Sequence, residues 1–304
     1  VSSQPCSSKF SFNSGTATIL TYGFHFYCLP ISLFILLNLN AFFSPPQDYS
    51  ALVAHIGELP FFTFNLLVFL FLLGVLLLIV VAVHAQPIRA LTTGRKKIDY
   101  KRIFFSFFLW GSIISLQTLV SYWLTPSDYL WNFDPVPFFL LVLIALLLIP
   151  FQASFEEYFF RGYFLQATAL VSKYKWVPLV LSSVFFGLVH VANPEIAKLG
   201  YGFLFFYISL GLFLGIITLM DNGLELSMGF HIANNFFIAF LSSSSWSVFQ
   251  TPSLLKEVSE PVITPSYILL FYLPLVVLLF IFAKKYQWSN WKEKLLGKIE
   301  EKDI

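Results

Sequence analysis

The sequence predicts an all-α protein, a polytopic transmembrane helical bundle of about eight spans with both termini cytoplasmic. Hydrophobic residues make up 58% of the 304 residues and charged residues only 11%, whereas a soluble domain carries about 25% charged residues. Apolar stretches of about 20 residues, enough to cross a bilayer as a helix, recur along the chain. Lys and Arg are concentrated between these stretches. Lipid is therefore the predicted solvent for most of the surface.

The apolar stretches give the order of the elements. The predicted spans cover residues 17–43, 59–83, 103–124, 137–155, 177–192, 201–220, 224–244 and 266–283. The first stretch is longer than a span needs and contains Pro30, so we expect a kink or a partly interfacial position there. The spans divide the chain into three regions, which are N-terminal helices (1–136), a central region (137–244), and a last helix with a basic tail (245–304).

The basic residues outside the spans predict the orientation, because cytoplasmic loops are enriched in Lys and Arg. Most of these residues form three segments, which follow the second span, separate the fourth from the fifth, and follow the last: Arg89, Arg95, Lys96, Lys97, Lys101, Arg102, Lys173, Lys175, Lys284, Lys285, Lys292, Lys294, Lys298 and Lys302. With eight spans, all three basic segments lie on one side of the membrane. The placement of all three basic segments on one side requires that 201–220 and 224–244 are separate spans joined by the tight turn Asp221-Asn222-Gly223.

The fourth span is expected to be part of a longer helix. Residues Phe159 to Val171 are apolar apart from Arg161 and Gln166. We therefore predict one helix from Pro137 to Val171, bent at Pro150.

Two adjacent carboxylates, Glu156 and Glu157, interrupt this apolar helix. An ionisable residue inside a span is destabilising unless it is paired, so each is a candidate functional residue. Glu157 and Arg161 are four residues apart and share a helix face, which suits an ion pair, whereas Glu156 points about 100° away. Two neighbouring carboxylates in a low dielectric do not both ionise readily. Arg161 can keep one charged and leave the other suited to proton transfer.

Polar residues also occur in two later spans. His190 lies in the fifth predicted span, and His231 with Asn235 lies in the seventh. Together with a carboxylate base, these side chains can activate a water molecule and stabilise an oxyanion. An alternative is a zinc site formed by Glu156, His190 and His231, although the sequence contains no HExxH motif. Serine-protease chemistry is disfavoured, because no serine lies in a nucleophile elbow or beside a predicted base.

Three motifs occur in order: Glu156-Glu157…Arg161, Phe186…His190 and His231…Asn235. In this respect the sequence resembles the CPBP family of intramembrane proteases, whose motifs are EExxxR, FxxxH and HxxxN. That family includes type II CAAX prenyl endopeptidases, relatives linked to bacteriocin processing, and abortive infection proteins. The resemblance covers roughly residues 137–244, so the central region is expected to be the catalytic core.

The resemblance implies a role for each catalytic residue. Glu156 is expected to be the base that activates water, and His190 its partner in binding that water. His231 and Asn235 are expected to stabilise the oxyanion.

The resemblance also implies that Glu157 and Arg161 are supporting residues, with Arg161 pairing a carboxylate. The family has been described both as metalloproteases and as glutamate proteases. Zinc therefore remains an open cofactor at this point, and no other cofactor is expected.

The predicted function is hydrolysis of a peptide bond in a membrane-associated protein or peptide, in CAAX-type or bacteriocin-type processing. The expected partners are this substrate and the lipid bilayer, and nucleic acid is not expected because the basic residues lie in loops beside spans. The expected location is the bacterial inner, or cytoplasmic, membrane. Two alternatives remain: a non-catalytic immunity or binding protein, and a transporter that uses the buried Glu, His and Arg as a proton relay.

Overall fold

A computed structural model describes residues 49–299 of the chain. The α-helices in chain order are α1 (Tyr49–Ile56), α2 (Glu58–Leu78), α3 (Ile88–Thr92), α4 (Tyr100–Leu124), α5 (Pro135–Glu157), α6 (Leu165–Leu170), α7 (Trp176–Leu188), α8 (Pro194–Leu199), α9 (Leu204–Asp221), α10 (Glu225–Leu241), α11 (Pro265–Lys285) and α12 (Trp291–Leu296). The predicted all-α membrane bundle is thus confirmed. The predicted span 17–43 and both termini lie outside the described residues.

Five helical stretches among residues 49–299 are long and apolar enough to cross a membrane: Glu58–Val83, Tyr100–Leu124, Pro135–Leu170, Tyr201–Asp221 and Pro265–Lys285. Two further helices match predicted spans but are shorter, since α7 has 13 residues and α10 has 17. A full crossing needs about 20 residues. The protein is an integral membrane protein, and the count of eight spans and the orientation stay predictions.

Polar side chains mark where the long apolar helices begin. Asp99 precedes α4 and accepts a hydrogen bond from the backbone N–H of Lys101. Asp134 precedes α5 in the same way, and Thr264 precedes α11. Each oxygen satisfies a backbone donor that has no partner within the helix.

The long helix predicted around Pro150 is present. It runs without a break from Pro135 to Leu170. Its central part, Tyr158–Phe164, is π-helical and follows directly after Glu157. Such widened turns are rare and occur frequently at functional sites.

The loop before α4 is tied to the turn between α9 and α10 by ion pairs. Arg95 lies 2.9 Å from Asp221 Oδ2 and 3.0 Å from Glu225 Oε2, and Arg102 also pairs with Asp221. Asn222 has a left-handed backbone with φ 55°, which produces the predicted tight turn. We call this side of the bundle the basic end.

Three short strands lie at the opposite side of the bundle, which we call the sheet end. They are β1 (Tyr129–Trp131), β2 (Ser242–Ser244) and β3 (Leu255–Glu257), in the order β1-β3-β2. β3 pairs antiparallel with β1 and parallel with β2. Strands of three residues have no recognisable alternation of apolar and polar residues, which is why the sequence did not predict them.

A buried carboxylate connects two loops at the sheet end. Glu195 Oε1 accepts a hydrogen bond of 2.8 Å from the backbone N–H of Val248, and Tyr49 donates to the carbonyl of the same residue. Burial raises the pKa of Glu195 from 4.5 to about 7, although the Val248 hydrogen bond opposes this shift. Glu195 is therefore placed to respond to pH near neutrality.

The closest helix packing joins α4 to α10. A Cβ atom on Gly229 would lie 2.1 Å from the carbonyl oxygen of Ile103, and one on Gly111 would lie 2.2 Å from the ring of Phe237. Small residues permit such close approach between membrane helices.

We expect Gly229→Ala to destabilise the protein by about 1–3 kcal/mol, because its methyl group would overlap a backbone carbonyl. The measurement is thermal unfolding in detergent. Gly74→Ala is the matched control, since no atom of residues 49–299 lies within 4 Å of its added Cβ. Equal melting temperatures for both variants would contradict the packing.

Glu195 should make stability depend on pH. Below the unfolded-state pKa of 4.5 the carboxyl is protonated in both states, and between 4.5 and about 7 only the unfolded state ionises. Raising the pH through this range therefore favours unfolding, by up to about 3 kcal/mol. Thermal unfolding at several pH values should show this loss in wild type but not in Glu195→Gln. An identical pH dependence in both proteins would contradict the assignment to Glu195.

Candidate active site

The two adjacent glutamates lie where α5 passes into the π-helical segment, and both are buried. Arg161, which is fully buried, donates from Nη1 to Glu157 Oε1 at 3.0 Å. The ion pair expected from helical spacing is thus present.

Arg161 also connects the π-helical segment to two other helices. Its Nη2 donates to the carbonyl of Gly211 in α9 at 3.2 Å, and its Cζ lies 4.2 Å from the ring centroid of Phe186 in α7. The contact with the ring is a cation–π interaction. The phenylalanine of the FxxxH motif therefore has a role that spacing did not reveal, because its ring covers the buried guanidinium.

His231 of α10 lies between the two carboxylates. Its Nδ1 is 2.7 Å from Glu157 Oε1, and its Nε2 is 3.6 Å from Glu156 Oε2. Glu157 Oε1 thus contacts both Arg161 and His231. An imidazole oriented by a carboxylate presents its other nitrogen in a fixed direction, here towards Glu156.

Glu156 has a different environment from Glu157. Its Oε1 accepts a hydrogen bond of 2.5 Å from Gln152 Nε2, one helical turn earlier. Within the described part of the chain, its Oε2 is buried and has no hydrogen-bond partner. Because buried carboxylate oxygens are normally hydrogen-bonded, Oε2 of Glu156 remains available for a ligand or a water molecule. Glu157 Oε2 is likewise buried without a hydrogen bond among the described residues.

His190 lies two residues beyond the end of α7, in a turn rather than within the predicted span. Its Nδ1 lies 2.6 Å from the carbonyl oxygen of Phe186, which can only accept. The neutral ring then carries its lone pair on Nε2. Tyr207 stacks on this imidazole with ring centroids 4.3 Å apart, a contact that no motif predicted.

Asn235 is also brought to this cluster. Its Nδ2 donates to Gln152 Oε1 at 2.8 Å, so Gln152 contacts both Asn235 and Glu156. Sequence reasoning missed Gln152. The available signal was a polar residue in an apolar helix, four positions before a candidate base.

The cluster that contains Glu156 and His231 lies inside the bundle, away from the basic end. His231 is six residues from the start of α10 at Glu225, or about 9 Å along the helix axis. Glu156 is separated from the end of α6 at Leu170 by 14 residues, or about 21 Å. The candidate site is therefore embedded rather than surface-exposed.

The zinc alternative does not fit this arrangement. Among the described residues, no group of three or more His, Cys, Asp or Glu side chains is placed to hold a metal ion. Glu156, His190 and His231, the three residues of the zinc alternative, do not form such a group.

Residues 135–237 match the family model described as Type II CAAX prenyl endopeptidase Rce1-like. This segment is thus similar to the Rce1-like family. The match includes all three motifs and confirms the resemblance found in the sequence.

The chain has a bacterial relative. The chain is 30% identical over 165 residues to "Uncharacterized protein YyaK" of Bacillus subtilis (strain 168), covering 54% of this chain and 55% of that protein. The chain thus spans about half the length of the curated relative that it matches. No solved structure matches the chain.

We expect Arg161→Met to lower the free energy of unfolding by about 3–5 kcal/mol, because Glu157 would remain as a buried charge without this partner. Adding Glu157→Gln should recover part of this loss. The control is Lys198→Met, which removes an exposed pair with Glu260 and should change stability by at most about 1 kcal/mol. Chemical or thermal unfolding in detergent measures all three, and equal effects of the two single variants would contradict a buried ion pair.

Proposed function

We propose that this protein is an intramembrane endopeptidase that uses Glu156 to activate water. The observation that carries the proposal is the buried Oε2 of Glu156, which has no hydrogen-bond partner among residues 49–299 and lies 3.6 Å from His231 Nε2. This atom lies in the segment that matches the Rce1-like family.

The environments of the two glutamates support different roles. Glu157 contacts Arg161 and His231, so it is held as an ionised, structural carboxylate. Glu156 contacts the neutral amide of Gln152 and keeps one oxygen available. A carboxylate with an accessible lone pair is suited to accept a proton from water.

The proposed reaction follows from these positions. Glu156 removes a proton from water while the water oxygen bonds to the peptide carbonyl carbon, and His190 Nε2 helps to orient the water. The negative charge on the carbonyl oxygen is stabilised by the second N–H of Asn235 and by the Nε2–H of a His231 ring that carries a proton on both nitrogens. Glu156 then delivers its proton to the peptide nitrogen as the C–N bond breaks, which leaves a carboxylic acid and an amine.

The location of the site favours a substrate that is already associated with the membrane. The cluster lies about 9–21 Å along its helices from the basic end, among helices that are long and apolar enough to span a membrane. We propose that a membrane-associated protein or peptide enters from the cytoplasmic side or laterally from lipid. The processing is of the CAAX or bacteriocin type, and the relative from Bacillus subtilis supports a bacterial cytoplasmic membrane.

Within residues 49–299, no group of three or more His, Cys, Asp or Glu side chains is placed to hold a metal ion. The proposal therefore routes no step through a metal ion.

We expect Glu156→Gln and His190→Ala each to lower kcat by at least about 100-fold, because one removes the base and the other the group that orients water. The measurement is cleavage of a library of membrane-anchored peptides by purified protein. Glu195→Gln is the matched control, since it removes another buried carboxylate that the mechanism does not use.

Folding of each variant is checked by thermal unfolding in detergent. Full cleavage by folded Glu156→Gln would overturn the proposed function. Loss of activity in Glu195→Gln to the same extent would show that the effect is not specific to the candidate base.

A further inference from the structure

A chain of four hydrogen bonds ends on Glu156. Trp110 Nε1 donates to Asn234 Oδ1 at 3.2 Å, and Asn234 Nδ2 donates to Asn235 Oδ1 at 3.1 Å. Asn235 Nδ2 donates to Gln152 Oε1 at 2.8 Å, and Gln152 Nε2 donates to Glu156 Oε1 at 2.5 Å. We call the four donor residues, Trp110, Asn234, Asn235 and Gln152, the amide relay.

All four hydrogen bonds run in the same direction. The indole of Trp110 can only donate, and an ionised carboxylate can only accept. Each amide between them accepts with its oxygen and donates with its nitrogen. Rotating the Gln152 amide by a half turn would place its oxygen against the Glu156 carboxylate and its N–H groups against those of Asn235. The donor at one end of the chain and the acceptor at the other therefore fix the direction of all four hydrogen bonds.

The relay joins three helices. Trp110 lies in α4, Asn234 and Asn235 lie in α10, and Gln152 lies in α5 with Glu156. Trp110 is buried and stacks on Phe230 with ring centroids 4.5 Å apart, which holds the first donor in place. The position of Glu156 Oε1 is therefore set by packing between helices as well as by α5 itself.

The relay fixes which oxygen of Glu156 can take up a proton. Gln152 Nε2 donates to Oε1, so Oε1 accepts and cannot direct an O–H at the same N–H. Trp110 prevents the chain from reversing. A proton taken from water is therefore held on Oε2, the oxygen that the relay leaves available.

We propose that Gln152 is a positioning residue for the base, and that Trp110 acts on the base through Asn234, Asn235 and Gln152. This inference rests on the proposed function, because it assigns Glu156 as the base. The relay holds Oε1 and turns Oε2 towards the water. Neither Trp110 nor Gln152 belongs to the three motifs.

The test uses Gln152→Met, which keeps the length of the side chain, and Trp110→Phe, which keeps an aromatic ring but removes the indole N–H. We expect Gln152→Met to lower kcat by about 10- to 100-fold and Trp110→Phe by about 3- to 10-fold, with KM changed by at most about twofold. Trp123→Phe and Gln117→Met are controls on α4, because Trp123 is 80% exposed and Gln117 donates to a backbone carbonyl elsewhere.

The double variant Trp110→Phe/Gln152→Met separates a relay from two independent packing effects. If both residues act through one chain, the double variant should have the same kcat as Gln152→Met within about twofold. The relay is overturned if the two fold-losses in kcat multiply in the double variant. It is also overturned if Trp110→Phe lowers kcat no more than Trp123→Phe does.

A measurement without turnover distinguishes this inference from the proposed function. Infrared difference spectra between wild type and Glu156→Gln identify the carboxyl band of Glu156. We expect this band to shift in Gln152→Met, because the hydrogen bond to Oε1 is lost. An unchanged band in Gln152→Met would overturn the relay, whereas the expected shift in a protein that cleaves no peptide would overturn only the hydrolytic function.

Discussion

The carboxylate of Glu157 is buried inside the bundle and contacts two basic groups, Arg161 and His231, on a single oxygen. A charge in this environment is strongly destabilising without such partners. The contact joins α5 and its π-helical extension to α10, and Arg161 extends it to α9 through Gly211 and to α7 through Phe186. Four helices are therefore held in one relative arrangement by one ionic cluster, and the position of the candidate site depends on it.

The same cluster gives two neighbouring glutamates different surroundings. Glu157 pairs with Arg161 and His231 at hydrogen-bond distance, whereas Glu156 accepts from a neutral amide and has His231 Nε2 3.6 Å from its other oxygen. Pairs of titratable groups in contrasting environments are a common basis for acid–base roles. Here the contrast arises because successive residues on a helix point about 100° apart, so one faces the arginine and the other faces the relay.

The site lies between two differently built ends of the protein. At the basic end, Arg95 and Arg102 pair with Asp221, and Arg95 also pairs with Glu225 at the start of the helix that carries His231. At the sheet end, three short strands and the Glu195–Val248 contact connect the loops that follow the membrane helices. Both ends use polar contacts to connect loops, which leaves the apolar faces of the helices for lipid.

Local features of the sequence determined the helical membrane fold, the motif residues and the Glu157–Arg161 pair. These depend on the length of apolar stretches and on helical spacing, which are properties of a single segment. Only the tertiary structure decided the contact of His231 with Glu157, the stacking of Tyr207 on His190, and the place of Gln152 and Trp110 beside the base. Apart from the Gln152–Glu156 bond, whose one-turn spacing was a local signal, these contacts join residues from different helices or from a helix and a turn. Their geometry is set by how the helices pack, and no local periodicity encodes it.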